Sequence, residues 1–395
     1  MKRGPVVSGF AGYEVQFPLK LIRLSKSSIG HAEKIAVQGV LDQEYLGMGS
    51  EVQQFEENLT NFFGRPTVCV VNGTAALHLA LQSIGLSAGD EVLVPSLTYI
   101  SSFQAISATG AKPVACDIDS DTLLLDLNDA KKRITKNTFA IMPVHYTGGV
   151  GDLNAVYSFA KKHGLRVIED AAHAFGTIFN GKLIGSIGDI ACFSFDGIKN
   201  ITSGEGGCIV TDDKTVLKKV MDARLLGVEK DTESRFKKKR SWDFEVSAQG
   251  WRYHMSNIMA AIGIVQLERF PEFAKRRKKF AKLYDQLFKN YPTINALPRD
   301  YDTVVPHIYV VRVIGMKNRK LLQKKMLEKK IEVGYHYQPN HWLNFFQDEK
   351  HKPLPVTDAV FPELMSLPLH PDLSDQDVDY IVSELASIID NLEKS

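Results

Sequence analysis

TVCVVNGTAALHLALQSIG, from Thr67 to Gly85, decides the fold class of this chain. It opens on a short, valine-rich apolar run, which is typical of a strand that is buried on both faces of a sheet. Asn72 and Gly73 then break the run, and the residues after them have the length and apolar spacing of a helix. The stretch therefore predicts a strand–turn–helix unit in which the turn lies at the carboxyl end of the strand.

The same alternation of strand, turn and helix continues to about residue 212. Near-continuous apolar strands that alternate with helices predict an α/β fold with a mostly parallel sheet covered on both faces. The strand-like runs in chain order are TVCVV, EVLVP, KPVACD, FAIMPVH, RVIED, IACFSF and GCIVTD. These seven runs predict a large domain built on a seven-stranded sheet.

Helical segments and a second, smaller unit flank the predicted sheet. EVQQFEENLTNFFG, ahead of the first strand, is amphipathic and ends at Gly64. After the sheet, a long helical stretch broken only at Pro271 leads to strand-like and helical runs that suit a small α+β domain. We therefore expect a segment over residues 1–30 associated with the small domain, a large domain over 31–255, and a linking helix with the small C-terminal domain over 256–395.

The composition is that of an ordinary globular protein and argues against several functional classes. The 395 residues are 44% hydrophobic and 24% charged with a net charge of +2, so nothing favours nucleic acid or an anionic membrane. No apolar run approaches the roughly 18 residues that a membrane span needs, and the N-terminus lacks the features of a signal peptide. The scattered cysteines Cys69, Cys116, Cys192 and Cys208 predict reduced, buried thiols in a cytoplasmic protein.

The turn after the first strand could bind an anion. Glycine at position 73 lets the backbone approach a ligand, the free amides of a helix N-terminus point at it, and the Thr74 hydroxyl adds a donor. The residues from Asn72 to Ala75 therefore form a candidate phosphate cup, although the same NGT pattern caps many helices that bind no ligand.

Two other strand ends carry polar or aromatic side chains. Asp170 ends the run RVIED, where a carboxylate could bind a ribose, a metal ion or a ring N–H, or could cap the next helix. His173 follows on the same side of a first helical turn, and a lone histidine is more often structural. Tyr99, after VPSLT, could stack on a flat ring or pack in the core.

A single lysine stands in FSFDGIKNITSGEGG, from Phe193 to Gly207. The apolar run leaves the sheet before Lys199 and the glycines force tight turns after it, which would hold the lysine in a partly buried loop. Burial disfavours the ammonium ion, so the pKa should fall, and a neutral amine can form a Schiff base with an aldehyde or ketone. An anion cup, an aromatic ring, a strand-end carboxylate and this lysine are together the groups that pyridoxal 5'-phosphate needs.

Two other kinds of site fit the sequence less well. A dinucleotide site would need G-x-G-x-x-G after the first strand, or G-x-x-x-x-G-K-[ST] for a nucleotide, and the chain has neither. VGYHYQPNHW contains His336 and His341, but no carboxylate or third ligand accompanies them at suitable spacing, so we expect no metal site.

The order and spacing of these motifs resemble the sugar-nucleotide aminotransferases of the DegT/StrS family, which are fold-type-I pyridoxal phosphate enzymes. The resemblance covers nearly the whole chain, and the block around Lys199 is its most specific part. The motifs that carry it are NGTAAL, VPSLTY, IEDAAHAFG, FSFDGIKNITSGEGG and GWRYHMSNIMAAIGIVQLERF, with EYLGMGSEVQQFEENLTNFFG near the start and SLPLHPDLSDQDVDYI near the end.

The resemblance implies a role for each candidate residue. Lys199 would hold the cofactor covalently and then move a proton between the substrate carbon and the cofactor. Asp170 would pair with the pyridinium nitrogen, His173 would lie near the phenolic oxygen, and Tyr99 would stack on the ring. The residues implied to bind the phosphate are Gly73, Thr74, Ala75 and Ser194.

The chain departs from the family at one motif. Family members commonly have G-x-N-x-R-M before the long helix, and the asparagine reaches across a homodimer to the cofactor phosphate. This chain has GWRYHM from Gly250 to Met255, so Arg252 stands at the position of the asparagine and His254 at that of the arginine. We expect a homodimer with shared active sites in which Arg252 binds the phosphate as a cation.

The resemblance also implies a two-step transamination, in which L-glutamate leaves as 2-oxoglutarate and pyridoxamine phosphate then aminates a sugar. We expect amination at C4 of a dTDP- or GDP-linked 4-keto-6-deoxyhexose for a surface polysaccharide such as the O-antigen of lipopolysaccharide. Amination at C3 of a dTDP-linked 3-keto-6-deoxyhexose and a pyridoxal-binding regulator without turnover remain alternatives. The candidate substrate contacts are His336, Tyr337, Lys239 and Arg240.

Overall fold

The structure is a computed structural model that describes residues 21–239, 243–347 and 352–393. Its strands are β1 (Thr67–Val70), β2 (Glu91–Pro95), β3 (Lys112–Cys116), β4 (Thr138–Ile141), β5 (Arg166–Asp170), β6 (Ile178–Phe179), β7 (Lys182–Leu183), β8 (Ile190–Ser194), β9 (Gly207–Val210), β10 (Ile294–Ala296), β11 (Tyr309–Val313) and β12 (Leu364–Leu367). The large sheet has the order β1–β9–β8–β5–β4–β2–β3. All neighbours pair in parallel except β9, which is antiparallel to β8 and β1. The predicted seven-stranded, mostly parallel sheet is confirmed.

Helices precede, connect and follow these strands. They are α1 (His31–Asp42), α2 (Ser50–Phe63), α3 (Gly73–Ser83), α4 (Ile100–Ala108), α5 (Leu127–Arg133), α6 (Leu153–His163), α7 (Lys214–Ala223), α8 (Asp231–Phe236), α9 (Asn257–Phe288), α10 (Arg319–Glu328), α11 (Pro355–Val360) and α12 (Asp375–Glu393). The predicted amphipathic helix before the first strand is α2, whose apolar face is buried. The predicted helix after the first strand is α3.

Apolar side chains pack against both faces of the large sheet. Neighbouring residues of β5 illustrate this, because Val167 packs in one apolar cluster and Ile168 packs in the cluster on the opposite face. Successive side chains of a strand point to opposite faces, so a strand buried on both faces must be apolar at nearly every position. This explains why the strands appear in the sequence as continuous apolar runs.

The long helix α9 differs from the sequence expectation at one point. The helix runs without interruption through Pro271, where a break was predicted. Phe270 and Phe273, on either side of the proline, are buried. We attribute the continuity to this packing, which compensates for the main-chain hydrogen bond that a proline cannot donate.

The second half of the chain forms a separate apolar cluster around the small antiparallel sheet β10–β11–β12. The end of α9, α10 and α12 surround this sheet. Near the start of the described chain, Ile22 forms a β-bridge with Ile331. The division at residues 30 and 255 stays a prediction, and residues 1–20 lie outside the described ranges. Among the helices of the described residues, none is both long and apolar enough to cross a membrane.

Two helical glycines allow a matched test of the packing between α2 and α9. A Cβ at Gly263 would lie 2.6 Å from the ring of Phe55, which is fully buried, whereas a Cβ at Gly39 would meet nothing within 4 Å. We expect Gly39→Ala to raise the free energy of unfolding by up to about 1 kcal/mol, the usual gain in helix propensity. We expect Gly263→Ala to lower it by about 1 kcal/mol, because overpacking outweighs the same gain. Thermal melts of both variants would measure these changes. Equal shifts in melting temperature would contradict the predicted difference.

Candidate active site

The carboxyl ends of the parallel strands surround one cavity of about 430 Å³. Turns after β1, β2, β5 and β8 form most of its wall, and residues 336–337 from the second half of the chain close one side. Nine of the predicted cofactor and substrate residues line it, namely Gly73, Thr74, Tyr99, Asp170, His173, Ser194, Lys199, His336 and Tyr337. The fold therefore brings together side chains from four strand ends and from a distant segment.

The N-terminus of α3 forms one end of the cavity. Asn72 caps the helix by accepting a hydrogen bond from the amide of Ala75 at 2.8 Å. That amide is therefore already bonded, and Ala75 is buried and does not line the cavity. The hydroxyl groups of Thr74 and Ser101 are 2.7 Å apart. A Cβ at Gly73 would lie 2.8 Å from the Cβ of Ser194, so only glycine leaves this cradle open.

Asp170 is held in a fixed orientation at the end of β5. Its carboxylate is buried, with the residue only 6% exposed. Ser102 in α4 donates a hydrogen bond of 2.7 Å to Oδ2, and the amide of Ala172 donates one of 3.3 Å to Oδ1. The Ser102 hydroxyl also lies 2.9 Å from that of Thr98. The two hydrogen bonds fix the direction of the carboxylate, which can then pair with a ring N–H.

Lys199 follows β8, and the pKa of its amine is lower than that of an ordinary lysine. The side chain of Lys199 is half-buried, and burial around its amine lowers the pKa to about 8. The charge of Arg277 lowers this pKa further, while Asp196 and Asp170 act in the opposite direction. Lys199 Nζ lies 3.3 Å from Nε2 of His307. A substantial fraction of this amine is therefore neutral and nucleophilic near pH 8.

His173 and Tyr99 both lie next to Tyr337, which belongs to the second half of the chain. Burial, followed by the charge of Lys199, holds the pKa of His173 well below its usual range, so this imidazole is neutral. A hydrogen bond of 3.0 Å joins its Nε2 to the Tyr337 hydroxyl, and its buried Nδ1 has no partner among the described residues. The ring of Tyr99 is 53% exposed at the mouth, with its centroid 5.2 Å from that of Tyr337.

The candidate substrate contacts divide into two groups. His336 lines the cavity, its Nδ1 lies 2.7 Å from the Ser366 hydroxyl, and burial lowers its pKa to about 4. Tyr337 lines the cavity beside it. Lys239 is exposed and does not line the cavity, and Arg240 lies outside the described residues.

Arg252 lies away from the cavity of its own chain. It is exposed and lines a small cleft of about 180 Å³ together with His254. The amides of Trp251 and Tyr253 bind the carbonyl groups of Ala223 and Arg224 at 2.6 and 3.0 Å, so the main chain on both sides of Arg252 is fixed. The pKa of His254 falls to about 4, first through burial and then through the charge of Arg252.

These groups fit pyridoxal phosphate. A cradle that a Cβ would fill lies at Gly73, beside the Thr74 and Ser194 side chains. The oriented carboxylate of Asp170, the Lys199 amine of lowered pKa and His173, whose buried Nδ1 is unpaired among the described residues, line the same cavity. The cradle at Gly73 suits an anion, and the Asp170 carboxylate suits a ring N–H. The Lys199 amine suits an aldehyde, and His173 can donate a hydrogen bond to a ring oxygen.

The structure also identifies residues that the sequence analysis did not single out. Ser102 orients Asp170, His307 contacts the amine of Lys199, and the buried guanidinium of Arg277 lies near that amine. Ser102 could have been found, because it lies three residues after Tyr99 and therefore near the same strand end. His307 and Arg277 carry no such local signal, since they belong to the chain beyond the large sheet.

Comparison with known proteins gives one consistent result. Residues 27–386 match the DegT/DnrJ/EryC1/StrS aminotransferase family. The spore coat polysaccharide biosynthesis protein SpsC of Bacillus subtilis is 36% identical over 370 residues, which cover 91% of this chain and 95% of SpsC.

Solved structures agree with this match. The PLP form of Spr1654 from Streptococcus pneumoniae superposes with a TM-score of 0.87 at 30% identity, covering 94% of this chain and 99% of that one. Its PMP form gives a TM-score of 0.87 at 31% identity, covering 95% and 100%. Helicobacter pylori PseC, an aminotransferase involved in the biosynthesis of pseudoaminic acid, gives 0.87 at 26% identity, covering 94% and 100%.

The lowered pKa of Lys199 can be measured directly. In protein freed of cofactor and labelled with ¹³C at the lysine ε-carbons, we expect one resonance to titrate with a midpoint near pH 8, because burial disfavours the ammonium ion. The amine is charged below that pH and neutral above it. The resonance should be absent from Lys199→Ala. A spectrum in which every lysine titrates near the ordinary value of about 10.4 would contradict the expectation.

Proposed function

Since this chain belongs to the DegT/DnrJ/EryC1/StrS aminotransferase family, we propose that it transfers the amino group of L-glutamate to the C4 keto carbon of a dTDP- or GDP-linked 4-keto-6-deoxyhexose. Members of this family are sugar aminotransferases that use pyridoxal phosphate. The observation that carries the proposal is the amine of Lys199, with its lowered pKa, in one cavity with the oriented carboxylate of Asp170 and the open cradle at Gly73.

Each side of the cavity would bind one part of the cofactor. The cradle of Gly73, Thr74 and Ser194 would bind the phosphate, and the exposed ring of Tyr99 would stack on the heterocycle. Asp170, fixed by its hydrogen bond from the Ser102 hydroxyl, would keep the ring nitrogen protonated. When bound, pyridoxal phosphate supplies an electron sink for the charge left when a proton leaves the adjacent carbon.

Lys199 would be both the covalent anchor and the residue that moves the proton. A neutral amine attacks an aldehyde and, once detached, accepts a proton from a carbon and returns it to another atom. Burial brings the pKa of Lys199 to about 8, close to the pH at which a general base is most effective. His173 is neutral, and its unpaired Nδ1 would bind the phenolic oxygen of the ring.

The choice of substrate rests on the relatives. SpsC is named for spore coat polysaccharide biosynthesis, and PseC is described as an aminotransferase in pseudoaminic acid biosynthesis. Both names concern aminated or surface sugars, which favours a nucleotide-linked keto sugar made for a surface polysaccharide such as an O-antigen. His336 and Tyr337 in the cavity would contact the sugar, and the exposed Lys239 with the neighbouring Arg240 would attract the diphosphate.

We further propose that the enzyme is a cytoplasmic homodimer. The described cysteines Cys69, Cys116, Cys192 and Cys208 are all free and buried, which is usual for proteins of a reducing compartment. Arg252 is exposed and lines a cleft other than the cavity of its own chain, so it would serve a cofactor only in a partner subunit. The predicted division into domains at residues 30 and 255 forms part of the same proposal.

The reaction can be tested with purified enzyme. We expect an absorbance band at about 410–430 nm that bleaches with L-glutamate, followed by conversion of a nucleotide-linked 4-keto-6-deoxyhexose to an amino sugar identified by mass and proton couplings. Lys199→Ala should lose activity by about 10³-fold or more, because it removes the nucleophile and the base together. Lys182→Ala, at an exposed lysine, is the control and should keep activity. Amination of the 3-keto isomer alone, or binding without turnover, would refute the C4 assignment.

The contribution of Arg252 to a partner's site can be tested separately. We expect Arg252→Ala to raise the dissociation constant for pyridoxal phosphate by about 10-fold, as for loss of a charge-assisted hydrogen bond. The matched control is Arg23→Ala, at another exposed arginine. Equilibrium dialysis gives both dissociation constants. If Arg252 reaches the cofactor of the partner subunit, mixed dimers of Arg252→Ala and Lys199→Ala subunits would contain one competent site. An unchanged dissociation constant would count against the contact.

A further inference from the structure

The amine of Lys199 has a partner from the second half of the chain. Its Nζ lies 3.3 Å from Nε2 of His307, which stands shortly before β11 and is only 2% exposed. The ring of His307 also packs on that of His173, with centroids 4.5 Å apart. The imidazole side of the contact is therefore shielded from solvent, and a side chain from beyond the large sheet contacts the candidate nucleophile.

A buried guanidinium fixes the main chain on both sides of this contact. Arg277 in α9 is 1% exposed and donates a hydrogen bond of 2.9 Å to the carbonyl oxygen of His307. Its other terminal nitrogen lies 3.5 Å from the carbonyl oxygens of Ile198 and Lys199. A buried cation that binds carbonyl groups from two segments holds those segments in register. The distance between Lys199 and His307 is thus constrained from the backbone and does not depend on the two side chains alone.

Burial keeps the imidazole of His307 neutral, and the cations nearby act in the same direction. Asp170, Asp196 and Arg277 act on the amine, and the neutral rings of His173 and His336 lie near it. Burial, followed by the charge of Lys199, holds the pKa of His307 well below its usual range. The buried Nδ1 of His307 has no partner among the described residues, and when the proton is on this nitrogen Nε2 is an acceptor. The amine can then donate one N–H to His307 and keep its lone pair free.

We propose that His307 is a positioning residue that holds the amine of Lys199 whenever the amine is detached from the cofactor, an inference that rests on the proposed function. A free lysine side chain has several rotatable bonds, and confining it costs conformational entropy. The hydrogen bond to His307 offsets part of that cost. When Lys199 takes a proton from a carbon, the same bond becomes charge-assisted and therefore stronger, and the proton later returns from Nζ to the substrate or cofactor carbon. His307 itself gains and loses no proton.

Two substitutions separate this role from simple packing. His307→Phe keeps a flat ring but has no acceptor, whereas His307→Gln supplies an amide oxygen at a similar reach. In holoenzyme mixed rapidly with L-glutamate, we expect His307→Phe to slow the first half-reaction by about 10- to 100-fold and His307→Gln to recover most of that loss. His78→Phe is the matched control, because His78 is also buried, packs on the ring of Trp251, and should leave this rate unchanged.

A second measurement does not depend on activity. In cofactor-free protein labelled at the lysine ε-carbons, loss of the acceptor should lower the titration midpoint of Lys199 by about one pH unit in His307→Phe. The midpoint should stay near its original value in His307→Gln and in His78→Phe. A packing defect would slow both His307 variants equally without moving the midpoint.

The outcomes are distinguishable. An unchanged half-reaction in His307→Phe, or equal losses in the Phe and Gln variants with an unmoved midpoint, overturns the inference. Wild-type enzyme that reacts with no amino donor would refute the proposed function. The titration midpoint of Lys199 in His307→Phe would then decide by itself whether His307 holds the amine. Melting temperatures of all variants exclude unfolding as the cause of any loss.

Discussion

The balance between hydration and burial at one amine is the physical constraint on which this protein depends. In water a lysine is an ammonium ion, which neither attacks a carbonyl group nor accepts a proton. Desolvation lowers the pKa of Lys199 to about 8, although Asp170 and Asp196 both act to raise it. Loss of hydration therefore outweighs the attraction of two carboxylates. The surrounding structure serves to keep this amine enclosed and still in reach of a ligand.

The large sheet holds the loop that carries Lys199 in a fixed position. β8 ends at Ser194, the chain passes outward through Lys199, and it returns as the antiparallel strand β9 from Gly207. A Cβ at Gly207 would lie 2.6 Å from the carbonyl oxygen of Asn72, so the returning strand approaches the helix cap more closely than a larger residue allows. The lysine loop and the anion cradle are thereby fixed next to each other.

Most of the fold could be predicted because its determinants are local. All seven strands of the large sheet coincide with apolar runs in the sequence, since burial on both faces imposes an apolar residue at nearly every position. The expected break at Pro271 was wrong because the helix is maintained there by tertiary packing, which is not a local determinant. A proline removes a local hydrogen bond, but the burial of Phe270 and Phe273 is a tertiary effect that a local pattern does not contain.

The sequence by itself determined the strand-end groups of the site, such as Asp170 and Lys199, because parallel strands bring their carboxyl ends to one edge of the sheet. Only the tertiary structure decided what surrounds those groups. His307 meets the lysine amine across 108 positions of sequence, and Ser102 meets Asp170 across 68. Periodicity and turn chemistry report on neighbours along the chain, whereas a hydrogen bond between distant segments depends on how separate elements pack. The pKa of the nucleophile is therefore a property of the folded molecule.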